Sequence, residues 1–221
     1  MRRHLFGLLG IWILAASALG AADFWTEKPF LEWSDKDVDK MMTGSPWATI
    51  VSVALPPPPP VPTGEAPVGG RGGGGPQEGF GPGPRRIRIT ISWRSALPLK
   101  QVLVRSQVGQ GGTPTADHTT FLSQADEFYV IGISGLPPQY VRPGGNSTVE
   151  AFLRRKNKDD IPVQQAGSQP SAEGVILLLG FPRGEIAPED NEVELVAKFD
   201  RLEVKRKFKL VEMMFEGKLE L

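Results

Sequence analysis

Apolar and polar residues alternate strictly over residues 86–94, which is the clearest pattern in the chain. Since side chains along a strand point to opposite faces in turn, this segment presents four apolar residues on one face: Ile87, Ile89, Ile91 and Trp93. Residues 47–55 and 175–179 are shorter apolar segments that also predict strands. Residues 127–134 are apolar on both faces, which is typical of a central strand.

Residues 192–199 and 202–210 alternate as well, and the two residues between them predict the turn of a β-hairpin. If Phe199 faces Leu202, opposite charges meet across the ladder in three pairs: Glu192 with Lys209, Glu194 with Lys207, and Lys198 with Glu203. The same register puts Arg206 on the apolar face. Because an unpaired buried charge is costly, we expect Arg206 to be partly buried and to pair with an acid from outside the hairpin.

Three segments carry helical signals. Ser34 can cap a helix over residues 35–43, and Ser95 can cap a second helix that has Pro98 in its first turn. Residues 147–158 predict a third helix, because a capping box is followed by bases at the end where the helix dipole favours cations.

These elements predict an α+β fold: a single domain with a mostly antiparallel or mixed sheet of about six strands and two or three short helices. Residues 56–84 interrupt it with 20 glycines and prolines and almost nothing that could enter a core, so we expect a disordered insertion. The strands that flank the insertion should belong to one sheet. The domain then comprises residues 23–55, a tryptophan-rich helix and strand, and the main part, residues 85–221.

Residues 1–22 have the pattern of a secretory signal peptide: two arginines, an apolar stretch of about 14 residues, and then small residues. A transmembrane helix needs about 20 apolar residues. We therefore expect cleavage after Gly20 or Ala22, and an exported protein, periplasmic or extracellular, with no transmembrane segment after cleavage.

Composition removes several chemistries. The 221 residues include no cysteine, which excludes thiol nucleophiles, thiolate metal sites and disulfides. Of the two histidines, His4 lies in the signal segment, and we expect His118, beside Asp117 in a Gly/Thr/Pro-rich loop, to be an exposed loop residue. The 25 acids balance the 25 bases, so no overall field attracts nucleic acid. The chemistries that the composition still allows are carboxylate pairs, a Ser–Lys pair and carboxylate-only metal sites.

No motif identifies a catalytic residue, a metal site or a cofactor. Ser134 sits in a sequence that resembles a nucleophile elbow, but Leu136 occupies the position where that motif requires glycine. The acids at residues 159–160 and 189–192 lack the ligand spacing of a calcium loop. We therefore expect no cofactor.

Two groups of residues form the candidate interaction surface: the tryptophans Trp25, Trp33 and Trp47, and the lysines Lys205 and Lys207. Exposed rings would mark an interface, whereas buried rings would anchor the N-terminal helix to the sheet. The lysines belong to a basic run, residues 205–209, which suggests a polyanion-binding strand. In the hairpin register, however, two lysines of that run face acids, which favours a solvated structural face.

Several segments resemble a recurrent type of uncharacterised exported bacterial protein. They are KPFLEWSDK at 28–36, SPWA at 45–48, SALP at 95–98, EVKRKFKL at 203–210 and GKLEL at 217–221. The resemblance spans most of the chain after the signal segment, apart from the proline-rich stretch. It implies one domain with that stretch as a variable insertion, and it brings no catalytic residues.

The sequence favours a non-catalytic binding or structural component of the cell envelope, with another envelope protein as a candidate partner. Two alternatives remain open. One is a carboxylate-dependent hydrolase that acts on envelope glycans, which would require carboxylates or a Ser–Lys pair to converge in one cleft. The other is a binder of anionic membrane surfaces that uses the bases Arg86, Arg88, Lys205 and Lys207.

Overall fold

The computed structural model describes residues 23–57, 85–141, 149–171 and 174–221. The signal segment, residues 58–84 of the Pro/Gly-rich stretch and the capping box predicted at Ser147 lie outside these ranges. Within them are four α-helices: α1 (Phe24–Glu27), α2 (Asp35–Gly44), α3 (Leu97–Val108) and α4 (Ala116–Ser123). Short 3-10 helices span Phe30–Glu32, Pro188–Asp190 and Leu210–Met213.

The same ranges contain eleven strands. In chain order they are β1 (Ala48–Ala54), β2 (Arg86–Trp93), β3 (Phe128–Ser134), β4 (Glu150–Arg155), β5 (Ile161–Pro162), β6 (Gln165–Ser171), β7 (Gly174–Pro182), β8 (Glu192–Phe199), β9 (Leu202–Lys209), β10 (Met214–Phe215) and β11 (Lys218–Leu219). The fold is thus α+β, as expected, but the described strands form three sheets, of five, four and two strands, instead of the one sheet of about six that the sequence predicted. The described residues also hold one more helix than expected.

Five strands form one antiparallel sheet in the order β1-β2-β3-β7-β6. β1 pairs directly with β2, so Ala48 lies opposite Ser92 and Ala54 opposite Arg86. The prediction that the strands on either side of the Pro/Gly-rich segment share a sheet is confirmed. β3 lies between β2 and β7, which confirms that the segment with two apolar faces is a central strand.

The second sheet has four antiparallel strands in the order β5-β4-β8-β9. The predicted hairpin register is confirmed, because Phe199 pairs with Leu202 and Leu195 with Arg206. The apolar faces of both sheets contribute to one hydrophobic cluster. At their contact the ring of Trp93 on β2 meets that of Phe208 on β9 edge to face, with centroids 5.0 Å apart.

The N-terminal aromatic segment packs into this cluster. The tryptophans are therefore buried, which was the second of their two predicted roles. Trp25 is 7% exposed, and Trp33 and Trp47 are fully buried. The Trp47 ring lies 5.8 Å from Trp25 and 6.1 Å from Phe215, and its Nε1 donates a 2.8 Å hydrogen bond to the carbonyl of Glu220. The segment therefore joins the first described helix to the C-terminal strands.

The helix predicted over residues 147–158 is wrong where the structure describes it. Residues 150–155 form β4, in which Ala151, Leu153 and Arg155 are buried in alternation. This short segment carries residues that suit either structure locally, and pairing with β8 satisfies its backbone groups while burying one face. The four bases at 154–158 therefore do not mark a helix end.

Two smaller corrections concern local signals. Ser95 does not cap α3, because Ala96 occupies the N-cap position and the Ser95 hydroxyl instead accepts the Val130 N–H at 3.0 Å. His118 lies in α4 rather than in an exposed loop: the Thr115 hydroxyl accepts its N–H, and its ring accepts the Thr115 N–H. By contrast, the Ser34 capping box of α2 is confirmed, with Asp37 as the second partner.

We expect Trp33→Ala to lower the free energy of unfolding by about 3 to 5 kcal/mol, since it removes a large side chain that is fully buried. Val211→Ala is the matched control, because Val211 is 77% exposed and should change stability by no more than about 0.5 kcal/mol. Urea unfolding followed by tryptophan fluorescence measures both. Equal stability of the two variants would contradict the burial of the N-terminal segment.

Candidate functional site

A groove of about 360 Å³ lies between α2 and the five-stranded sheet. It opens on the face of the sheet opposite the one that carries Ile89, Ile91 and Trp93. Its lining comprises Asp35, Val38, Asp39, Met42 and Thr43 from α2, and Thr90, Ser92, Arg94, Ser134, Ser171 and Ile176 from the sheet side. Among the cavities lined by described residues, this one combines an apolar wall, several hydroxyls and a single base.

The strand period explains the polar floor of the groove. Thr90, Ser92 and Arg94 are the even-numbered positions of the alternating segment, so they share the face opposite the buried isoleucines. The register places Thr90 of β2 directly beside Ser134 of β3 and Ser92 beside Gly132. Hydroxyl groups that both donate and accept hydrogen bonds therefore line the base of the groove.

Arg94 is the charged group of the groove. Its backbone N–H donates to the Val130 carbonyl at 2.7 Å, but its half-buried guanidinium makes no hydrogen bond or ion pair with any described residue. Burial lowers the pKa of Arg94 from its ordinary value, because the charged form loses hydration. The group is thus a partly desolvated cation whose five donors have no partner in the described part of the chain.

Gly132 provides the space that Arg94 occupies. A Cβ at this position would lie 3.0 Å from Cγ of Arg94, 3.2 Å from the Ser92 hydroxyl and 3.3 Å from a methyl group of Ile176. Because these distances are shorter than ordinary van der Waals contacts, any larger residue would displace the arginine stem. Glycine at the centre of β3 therefore lets the arginine lie across the sheet.

Two acids stand on the α2 side of the groove. Asp35 pairs with Arg105 of α3 at 3.0 Å, and Arg105 also donates a 2.6 Å hydrogen bond to the Trp33 carbonyl. Asp39 is exposed, and its carboxylate has no hydrogen bond or ion pair with the part of the chain that is described. Val38, Met42 and Ile176 are half-buried and supply apolar contact surface.

A second and larger cleft, of about 740 Å³, lies beside the turn between β4 and β5. Six side chains of this charged cleft form three ion pairs: Lys158 with Asp190 at 2.5 Å, Lys207 with Glu192 at 2.8 Å, and Arg154 with Glu194 at 3.5 Å. These six side chains therefore neutralise each other, whereas the Glu189 carboxylate, which also lines the cleft, has no hydrogen bond or ion pair to the described residues.

The predicted interaction residues do not share one surface. Trp25, Trp33 and Trp47 lie in the core, whereas Lys205 and Lys207 are exposed on β9. Lys205 pairs with Glu203 at 2.9 Å. The hydrogen bond from Lys207 to Glu192 raises the pKa of Lys207. Both of these candidate lysines thus have acidic partners.

The predicted acid partner of Arg206 is absent from the described residues. Arg206 is half-buried, as expected, and its guanidinium lies 5.5 Å from the Phe208 ring centroid, but its Nε has no hydrogen-bond partner there. Burial lowers the pKa of Arg206, and the negative charge of Glu212 only partly opposes this shift. The reason is local, because the Glu212 carboxylate binds Lys209 at 2.9 Å instead.

Three further observations bear on function. Among the described residues, no group of three or more histidines and acids is arranged to hold a metal ion. None of the described helices is long and apolar enough to cross a membrane. Comparison of the chain with protein-family models, curated proteins and solved structures finds no match. The chemistry of the groove is therefore inferred from its own residues.

The Arg94 groove is not predicted by the sequence pattern, although part of its signal is present there. The even-numbered residues of the alternating segment form a polar face that includes one arginine. That face belongs to a strand paired with a central strand, so it lies within the sheet rather than at an edge. The pattern does not indicate where α2 packs. It is the position of α2 beside this face that forms the groove.

The charged cleft yields a test of pH dependence at Asp190, whose side chain is only 2% exposed. Burial alone would raise the pKa of Asp190, but hydrogen bonds from the Ala187 N–H and Lys158 outweigh it and lower the pKa below 3.8. A carboxyl with a lowered folded-state pKa stabilises the protein above its unfolded pKa. This stability is lost as the pH falls through the folded value.

We therefore expect Asp190→Asn to be less stable than the wild type at neutral pH. The difference in the free energy of unfolding should shrink below about pH 4. Urea titrations at a series of pH values measure it, with Glu189→Gln, an exposed neighbour, as the control. A difference that stays constant down to pH 3 would show that the Asp190 charge does not stabilise the fold.

Proposed function

We propose that this protein is an exported, non-catalytic binding component of the cell envelope, and that the Arg94 groove is its ligand site. The proposal takes the chain as a single α+β domain with the Pro/Gly-rich segment as an insertion. Export is supported by the pattern of residues 1–22, and the envelope role by the resemblance to uncharacterised exported proteins. Another envelope protein remains a candidate partner.

The observation that carries the binding role is that the Arg94 guanidinium has no partner among the described residues. Removing a charge from water without pairing it costs stability, and a fold under no other demand would replace such a residue with an apolar one. The two arginines that are almost fully buried have partners: Arg105 binds the Trp33 carbonyl and Asp35, and Arg155 binds the Asp159 carbonyl at 2.9 Å. Arg206 is half-buried without an acid partner among the described residues, but its guanidinium lies 5.5 Å from the Phe208 ring centroid. An anion that enters the groove would supply the partner that Arg94 lacks.

The two alternative functions gain less support from the described residues. A hydrolase requires a free acid and base, whereas the acids Asp190, Glu192 and Glu194 of the charged cleft are each paired with a base. A membrane-surface binder requires free cations. The Lys205 and Lys207 ammonium groups are paired with acids. Arg86, which donates to the hydroxyl and carbonyl of Ser52, and the exposed Arg88 have no acidic partner among the described residues.

The test compares two arginines that differ in their partners. Arg94→Met keeps most of the aliphatic stem over Gly132 and removes an unpaired charge, so stability should stay within about 0.5 kcal/mol of the wild type or increase. Arg105→Met removes a partnered charge and leaves the buried Trp33 carbonyl unsatisfied, so it should lose about 1 to 3 kcal/mol. Urea unfolding without added ligand measures both.

Equal losses in the two variants would contradict the proposal. They would mean that Arg94 supports the fold in the same way as Arg105, and that its charge serves no ligand.

A further inference from the structure

We infer that the ligand of the Arg94 groove is a small amphipathic monocarboxylate, whose carboxylate binds Arg94 while its apolar part lies against Val38, Met42 and Ile176. This inference rests on the proposed function, because it names the chemistry that the same groove would accept. Three properties of the groove select this class: its charge, the geometry of its donors, and its apolar wall.

The charge of the groove favours a ligand with one negative charge. Arg94 is the single base among the described lining residues, and the two lining acids, Asp35 and Asp39, stand on the α2 side. Arg105 does not add a second free cation, since it is bound to Asp35 and to the Trp33 carbonyl. A phosphate monoester carries about 1.5 to 2 negative charges at neutral pH, and part of that charge would remain uncompensated near the acids.

The donors of the groove suit a planar anion. A guanidinium offers two parallel N–H groups that match the two oxygens of a carboxylate. The hydroxyls of Thr90 and Ser134 lie side by side on adjacent strands of the floor, and neither is held by a hydrogen bond to a described residue. They can donate to the lone pairs that the guanidinium leaves unused.

The apolar wall and the size of the groove limit the rest of the ligand. Val38 and Met42 are one helical turn apart on α2, and Ile176 lies across from them on β7. Ligand sites commonly enclose about 300 to 1,000 Å³, so a groove of about 360 Å³ suits a short alkyl, branched or aromatic acid. The same chemistry occurs in free carboxylic acids and at the C-terminus of a peptide with an apolar last residue.

The experiment is a titration of the ¹⁵N-labelled full chain, in which the backbone amides of Met42, Thr90 and Gly132 report on the groove. Hexanoate should shift these amides, and hexanamide, its neutral analogue, should bind at least about tenfold more weakly. Each methylene added between butanoate and hexanoate should tighten binding about two- to fourfold. Adipate, with a second carboxylate, should bind more weakly than hexanoate because of the acids on α2.

Variants of the groove test separately how the carboxylate and the apolar part of the ligand are bound. Arg94→Gln should weaken the binding of hexanoate at least about tenfold. Arg94→Lys keeps the charge but not the paired donors, so its affinity for hexanoate should lie between those of the wild type and Arg94→Gln. Met42→Ser should weaken hexanoate more than butanoate. Arg183→Gln is the control, since this exposed arginine lies outside the groove lining, and it should leave binding unchanged.

The two sources of the carboxylate are compared with hexanoate and N-acetylleucine, which imitates a peptide C-terminus. Tighter binding of either one supports the inference and identifies the source. Tighter binding of inorganic phosphate or hexyl phosphate would overturn the monocarboxylate class while leaving an anion-binding groove, as proposed above. If none of these anions shifts the groove amides, the inference fails, and the stability comparison of Arg94→Met with Arg105→Met decides separately whether the proposed function also fails.

Discussion

The structure depends on the contact between the apolar faces of two antiparallel sheets, where Trp93 meets Phe208. Side chains along a strand alternate between faces, so burying Ile89, Ile91 and Trp93 in this contact fixes the direction of every other residue of β2. Thr90, Ser92 and Arg94 are thereby turned to the opposite face. The polar floor of the groove is thus a geometric consequence of the core, and a slip of one residue in register would eliminate both.

The N-terminal segment completes the groove by fixing α2. Trp33 is buried just before the helix, its carbonyl accepts a hydrogen bond from Arg105, and the same arginine pairs with Asp35 in the first turn of the helix. These contacts hold α2 beside the sheet and leave Val38 and Met42 to line the groove. The buried aromatic residues therefore have an indirect part in the proposed function, since they position one wall of the site.

Strand segments with a clear period, such as β2 and the β8–β9 hairpin, could be predicted from sequence because one face of each is buried. β6 could not, because its sequence QAGSQPS has no apolar alternation and pairs only with β7 at the edge of its sheet. β4 was mistaken for a helix because local signals do not reveal a strand partner 40 residues away. The candidate site was missed because it needs α2, which is distant in sequence from Arg94.

The proposed ligand role of Arg94 requires a partly desolvated guanidinium that binds a carboxylate. The NMR resonance of its Nε–Hε group tests this role most directly. In the free protein this proton should exchange rapidly with water, while that of Arg105, bound to the Trp33 carbonyl, should be protected. Saturation with hexanoate should shift the Arg94 resonance and slow its exchange, leaving Arg105 unchanged. An Arg94 proton that is already protected without ligand, or that does not respond while hexanoate binds, would contradict the account.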